Sequence, residues 1–268
     1  MIKTIIIIFL VFLIVGVSLK IYNNRENFQN TSKSQDLTKL DIVVKQSDNT
    51  KIKLINHKWS NEFKWRFKRH EIKEHNLMKD LLKDLDNNSY IIDVGGHVGD
   101  TGLYLGLILH KNYKHKNIKV IIIEPDDTKI EFIKKMMYVN NLDNIICVNK
   151  GVSNIQGKGK IIPSPITGYK NSGALRITES KKGNFLIDTL DNICKGKKIS
   201  FMHIDVEGYE YKTLLGSKNI LKKCKYLLIE LDNVNKERSQ EKQFLIKTNY
   251  KDTNKGTKEN FLYINTLI

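Results

Sequence analysis

The chain is poor in several residue types that build common functional centres. Its 268 residues include three cysteines, Cys147, Cys194 and Cys224. They are far apart and form no Cys-x-x-Cys pair, which argues against structural zinc. Cys147 and Cys224 fall within or beside apolar stretches, where a cysteine is usually a small core residue. Only three prolines occur, and hydrophobic residues are scattered throughout, so neither a collagen-like nor a disordered main body fits. Acidic residues are also outnumbered, 29 against 45 lysines and arginines, for a formal charge of +16. Such an excess would suit a nucleic-acid or anionic-membrane surface. Yet there is no arginine-rich run, RNP-type motif or zinc-finger spacing. The lysines are spread along the whole chain beside abundant Asn and Ile, which is a global compositional bias, and nucleic acid is not the expected substrate. No internal repeat is present, and the length suits one domain with extensions.

The most informative stretch is residues 91–105, IIDVGGHVGDTGLYL. Two β-branched residues run into Asp93, then Gly95, Gly96 and Gly99 make a turn. Leu103, Leu105, Leu107 and Ile108 follow as an apolar run. This pattern predicts a buried strand, a tight turn and a helix start, the junction where a nucleotide-like ligand sits in a parallel α/β sheet. The dinucleotide fingerprint fails, because His97 occupies the slot of its second glycine, and no Gly-Lys-Ser/Thr follows to make a P-loop. What remains is Asp-x-Gly-x-x-x-Gly. An acid two residues before the first glycine would repel a pyrophosphate. It would suit a ligand bearing an ammonium and a sulfonium, such as S-adenosylmethionine. An ordinary glycine-rich turn with a solvated aspartate is the competing reading.

Residues 119–124, KVIIIE, predict a second buried strand ending in Glu124 before Pro125. A carboxylate at that tip can accept both hydroxyls of an adenosyl ribose. A capping role competes, since Asp126, Asp127 and Thr128 stand at a helix start. Residues 201–208, FMHIDVEG, and 226–233, YLLIELDN, are again strands running into acids. Four strand ends therefore present Asp93, Glu124, Asp205 with Glu207, and Glu230 with Asp232. In open parallel sheets the carboxyl ends of the strands carry the chemistry.

Together these residues resemble the FkbM-type family of S-adenosylmethionine-dependent class I methyltransferases. The matching pieces are the glycine turn, Glu124-Pro125, MMYVNNLDNI at 136–145, VNKGVSN at 148–154, LIDTLDNI at 186–193 and HIDVEGYEYKTLLGS at 203–217, over roughly residues 88–232. The family usually has a small residue where Gly96 stands, Asn where His97 stands and often Lys where His203 stands. The resemblance implies a Rossmann-like fold, a mostly parallel seven-stranded sheet with helices on both faces. It also implies methyl transfer from S-adenosylmethionine to oxygen, often a sugar or polyketide hydroxyl, so a small-molecule or glycan acceptor is expected. By the same match, Asp93, Gly95, Gly96 and Gly99 shape the methionine side of the pocket and Glu124 holds the ribose. Lys150, Gly151 and Val152 pass near the adenine. Asn140 reads first as a helix C-cap.

A hydroxyl acceptor must lose its proton, so a general base is expected within hydrogen-bond reach. Asp205 is the first choice and Glu207 the second. Glu207 has a competing role as a cap for the helix beginning near Tyr209, with Gly208 allowing a tight turn. His203 lies on the same face as Asp205 and reads as a satisfied core histidine. Asp205 with Asp232 and Asn233 also has the look of a magnesium-holding set. The motif context demands no metal.

Residues 5–19, IIIIFLVFLIVGVSL, are continuously apolar between Lys3 and Lys20. With Thr4, Ile21 and Tyr22 the run approaches a membrane span. The expected organisation is a transmembrane anchor or signal segment at 1–22, with the anchor preferred, and a polar linker at 23–40. A hairpin and helix extension follows at 41–85, and the methyltransferase domain at 86–268. Charges flanking the run are balanced, so they set no orientation. Within the extension, residues 59–70 are basic and aromatic and are expected to pack Trp65 and Phe67 onto the core. Residues 155–190 read as a hairpin-bearing insertion with a lid at 169–175. Residues 244–247 and 261–268 are expected to close the sheet as an antiparallel pair.

Overall fold

Continuous apolar runs, rather than alternating ones, mark strands covered on both faces, and such runs form the centre of this structure. The computed structural model describes residues 40–45, 48–69, 72–163, 172–231, 238–257 and 259–268. The expected anchor at 1–22 and nearly all of the linker lie outside the described residues. Among the described residues no helix is long and apolar enough to cross a membrane.

An N-terminal extension comes first, with β1 (Asp41–Val44) paired to β2 (Lys51–Leu54), then α1 (Ser60–Arg69) and α2 (Ile72–Leu81). Next come β3 (Tyr90–Val94), α3 (Asp100–Asn112), β4 (Lys119–Ile123), α4 (Asp127–Val139) and β5 (Ile145–Val148). The chain then enters a second sheet through β6 (Gly151–Val152), β7 (Gly157–Ile162), β8 (Arg176–Glu179) and β9 (Phe185–Asp188), followed by α5 (Leu190–Ile193). It returns through β10 (Ile199–Ile204), α6 (Glu210–Leu215), α7 (Lys218–Leu221) and β11 (Tyr226–Glu230). The last elements are α8 (Arg238–Lys247), β12 (Tyr250–Asp252) and β13 (Asn260–Asn265).

The large sheet has seven strands in the order β12-β13-β11-β10-β3-β4-β5. The pairs from β11 to β5 are parallel, while β13 runs antiparallel to both β11 and β12. Ile91 and Ile92 point to opposite faces of β3 and are both fully buried, so the sheet is covered on both sides. The chain adds strands on one side of β3, leaves, and resumes on the other side at β10. Between these two strands the winding reverses, and a crevice opens beyond their carboxyl ends. The second sheet has the order β6-β9-β7-β8 and is the hairpin-bearing insertion expected at 155–190.

Helix α3 lies close on β4 because residue 102 is glycine. A Cβ there would stand 2.5 Å from the Ile122 side chain and 2.8 Å from Asp93 Oδ2. The extension packs on the same layer. Phe63 and Phe67, four apart on α1, are both fully buried with ring centroids 5.4 Å apart. Phe63 meets Phe132 of α4 at 5.8 Å and Phe67 meets Tyr104 of α3 at 6.4 Å. Trp65 corrects the sequence expectation: it is 52% exposed, because in a helix the residue two on from Phe63 faces away from its i,i+4 stripe. Trp59 packs instead, donating Nε1–H to Thr128 Oγ1 at 3.1 Å. Lys45 is fully buried, its Nζ against His75 Nδ1 and 4.9 Å from the Tyr104 ring.

A second correction concerns residues 244–247, which belong to α8 rather than to a strand. Glu241 and Leu245 are buried while Ile246 is exposed, which is helical spacing. Left-handed Asn249 follows the helix, and 250–252 supplies the strand. Asn140 is the C-cap of α4: its Nδ2 donates to Met136 O at 2.8 Å, and the amide also holds the backbone of Lys53 in β2.

The aromatic cluster yields a stability prediction. Phe63→Ala removes a fully buried ring between two helices, and a loss of about 3–5 kcal/mol is expected. Urea unfolding measures it, and a loss below about 1 kcal/mol would mean that α1 is peripheral to the cooperative unit.

Candidate active site

The crevice between β3 and β10 begins at Gly95. Its φ is +82°, and a Cβ there would fall 1.7 Å from Asp205 O. No side chain can occupy that space. Around it the strand ends are stitched together: Gly95 and Gly96 each donate to Ile123 O at 3.0 Å, and Asp205 N donates to Val94 O at 3.0 Å. Beneath the turn, Asp93 is 1% exposed and its Oδ1 lies 2.8 Å from His203 Nδ1. The two residues are register partners on neighbouring strands. Asp93 Oδ2 has no hydrogen-bond partner among the described residues. Gly96 and Gly99 also lie under the turn, against Ile122 and Ile133.

His97 adopts φ +45°, a left-handed conformation that Asn and His tolerate better than most residues. Its Nδ1 accepts from Val98 N at 2.7 Å, so the proton sits on Nε2, 3.1 Å from Glu62 Oε1 on α1. The turn is thereby tied to the N-terminal extension.

Glu124 follows β4. One carboxylate oxygen accepts His97 N–H and the other Asp126 N–H, both at 3.0 Å. Burial raises its pKa, opposed by Lys129 and by these two N–H groups. Each oxygen keeps a further lone pair able to accept. The capping role that competed for Glu124 belongs to Asp126, whose side chain accepts from Thr128 N and Lys129 N. Lys150 is held by Asp188 at 2.8 Å. Burial alone would raise the Asp188 pKa, but hydrogen bonds from Lys150, Asn192 and Gln156 hold it at about 2.

On the far side stand Asp205 and Glu207. Glu207 has φ +51° and Gly208 φ +98°, a strained turn of the kind that gathers at functional sites. Burial, then the neighbouring charges of Asp205 and Glu210, push the Glu207 carboxyl up to about 8, with Arg176 and Arg66 opposing. Glu210, rather than Glu207, opens α6 and accepts Gly208 N–H at 2.9 Å.

One cleft joins Gly95, Glu124, Gly151, Val152, Asp205 and Glu207. Of the residues singled out in the sequence, Asp93, Gly96 and Gly99 are not in its lining but support it from below. The cleft also takes in His97, Leu175, Lys129, Ile161 and Ile177, the last three of which nothing in the sequence had singled out. Ile161 and Ile177 alternate in their strands as core residues do, and nothing in their spacing says that the second sheet leans over the first. Gly173 and Leu175 of the expected lid line the cleft, while 169–171 lie outside the described residues. So do Asp232 and Asn233. Among the described residues no group of three His, Cys, Asp or Glu is placed to hold a metal ion.

Comparison with known proteins follows the same outline. The family model described as the methyltransferase FkbM domain matches residues 93–254, more than half of the chain. No curated protein sequence matches. Among solved structures, a methyltransferase FkbM from Methylobacillus flagellatus KT is 16% identical with a TM-score of 0.43, over 69% of this chain and half (50%) of that one. An rRNA methylase from Streptococcus thermophilus is 13% identical with a TM-score of 0.42, over 71% and 91%. A SAM-dependent methyltransferase from Aquifex aeolicus is 15% identical with a TM-score of 0.40, over 76% and 96%.

The Glu207 carboxyl supplies a pH prediction. Its folded pKa of about 8 exceeds the ordinary 4.5, so the folded chain holds this proton more tightly than the unfolded one. Its contribution is fully present below about 4.5 and is lost as pH rises through 8. Thermal melts of wild type and Glu207→Gln are expected to diverge in that window, with the variant relatively more stable at the alkaline end. Parallel pH curves would show that this carboxyl is not held protonated.

Proposed function

The chain belongs to the FkbM methyltransferase family, and from that premise we propose that it methylates a hydroxyl oxygen of a sugar or glycan. The donor is S-adenosylmethionine, which supplies a methyl group on a positively charged sulfur. The residues present fit such a donor. Gly95 keeps the cradle open, Glu124 offers acceptor lone pairs at the tip of β4, and Gly151 and Val152 form an uncharged wall. The buried Asp93 carboxylate, with one oxygen lacking a partner among the described residues, places negative charge under the turn, which suits a cationic ligand.

The observation that carries the hydroxyl reading is the Glu207 carboxyl, shifted to about 8 and facing the same cleft as Asp205. Sugar hydroxyls are poor acids, and a base with a pKa near the working pH serves them best. Asp205 raises the Glu207 pKa, so the assignment is Glu207 as the base and Asp205 as the neighbour that tunes it. Positioning of the acceptor oxygen in the cleft supplies much of the remaining rate. We also infer that residues 1–22 tether the enzyme to a membrane, a reading supported by the uninterrupted apolar run at 5–19.

The test is a methyl-transfer screen against carbohydrates, RNA and protein, with cofactor affinity measured separately by calorimetry. Glu207→Gln is expected to lower kcat by roughly 10²–10⁴-fold while S-adenosylhomocysteine binds as before. Unchanged turnover in this variant would refute the base assignment. Transfer to RNA or protein, with none to any carbohydrate, would refute the acceptor class.

A further inference from the structure

His97 lines the cleft, and its ring is held at both nitrogens. Nδ1 accepts the N–H of Val98 at 2.7 Å, and Nε2 lies 3.1 Å from Glu62 Oε1. With a partner on each nitrogen, the ring cannot turn without losing a hydrogen bond. The Trp59 ring stands edge-on beside it, with centroids 6.4 Å apart. Trp59 is itself fixed by its Nε1–H, which donates to Thr128 Oγ1 at 3.1 Å.

Glu62 is set in place by its helix. It stands in the first turn of α1 beside Phe63, whose fully buried ring fixes which way the helix faces. Arg66 Nε is 3.7 Å from the same Oε1, beyond hydrogen-bond reach, so His97 holds the nearer place. The main chain of His97 carries this hold onward. At φ +45° its N–H donates to Glu124 Oε2 at 3.0 Å, while Asp126 N–H donates to Oε1. A left-handed residue other than glycine persists only where its surroundings enforce it. If the ring is released, the peptide can relax and take its N–H off Glu124. Glu124 lines the cleft, so the chain of contacts from α1 ends at the ligand side of the site.

We propose that Glu62 is a positioning residue of the cofactor site: it holds the His97 ring, and through it the N–H that fixes the Glu124 carboxylate for the two ribose hydroxyls. The N-terminal extension is then part of the cofactor site, although the family match begins beyond it at residue 93. The proposal rests on Glu124 as the ribose ligand of the donor named above, and it can be measured without turnover.

Competition calorimetry on the full chain tests it, with S-adenosylhomocysteine, adenosine and 2′,3′-dideoxyadenosine as probes. Glu62→Ala is expected to weaken the first two by roughly 5- to 20-fold. Glu62→Gln, whose amide oxygen can still accept from Nε2, is expected to lose less than Ala. The dideoxy nucleoside has no hydroxyls to place and is expected to bind both variants as it binds the wild type. His97→Asn keeps a residue that tolerates the left-handed turn but is too short to reach Glu62. In that background Glu62→Ala is expected to cost nothing further. A merely structural loss would lower all three probes alike and would add to that of His97→Asn, and either result overturns the proposal. So does unchanged binding in Glu62→Ala, or a wild type that binds the two nucleosides equally. If the coupling is found yet no carbohydrate is ever methylated, the role of Glu62 stands and the hydroxyl-transfer reading falls.

Discussion

The carboxyl ends of β3 and β10 meet only because residue 95 has no side chain. A methyl group there would overlap the carbonyl oxygen of Asp205, and the two strands would have to part. Everything at the site follows from that contact. It fixes the height of Asp205, and through the next two residues the strained turn that carries Glu207. It also aims the backbone of the following turn at Ile123, which brings His97 N–H onto Glu124. One missing carbon thus sets the spacing between the cofactor half of the cleft and the base half.

The acids of the site divide by what surrounds them. Asp93 is buried against His203, Glu124 against two backbone N–H groups, Asp188 against a lysine and two amides. Glu207 is half-buried, and burial together with the charges of Asp205 and Glu210 pushes its carboxyl up to about 8. Similar side chains at successive strand ends therefore take different roles through their neighbours. A rigid acceptor framework and a proton-accepting group share one sheet edge.

The parallel sheet was legible in the sequence because its strands are unbroken apolar runs, and the cleft was legible because acids and glycines stand at their ends. Glu124, Gly151, Val152, Asp205 and Glu207 all line it. The sequence ranked Asp205 above Glu207 as base. The function proposed above puts Glu207 first, on burial and neighbouring charge, neither of which is written in local spacing. The short segment at 244–247 misled because four apolar-rich residues fit a strand or a helix equally well until their neighbours, Glu241 and Asn249, are seen in place. Trp65 misled because an exposed aromatic has the same letter as a buried one. The wall made by Ile161 and Ile177 belongs to a second sheet, whose placement over the first depends on tertiary packing rather than on any motif.

The family match begins at residue 93, yet the turn it begins on is gripped from outside. Glu62 accepts a hydrogen bond from His97 Nε2, and Phe63 and Phe67 pin the same helix to α4 and α3. The unit that evolution recognises as a domain is therefore smaller than the unit that does the work. Sequence change in α1, upstream of the matched span, can therefore shift the turn without altering one residue of the glycine signature.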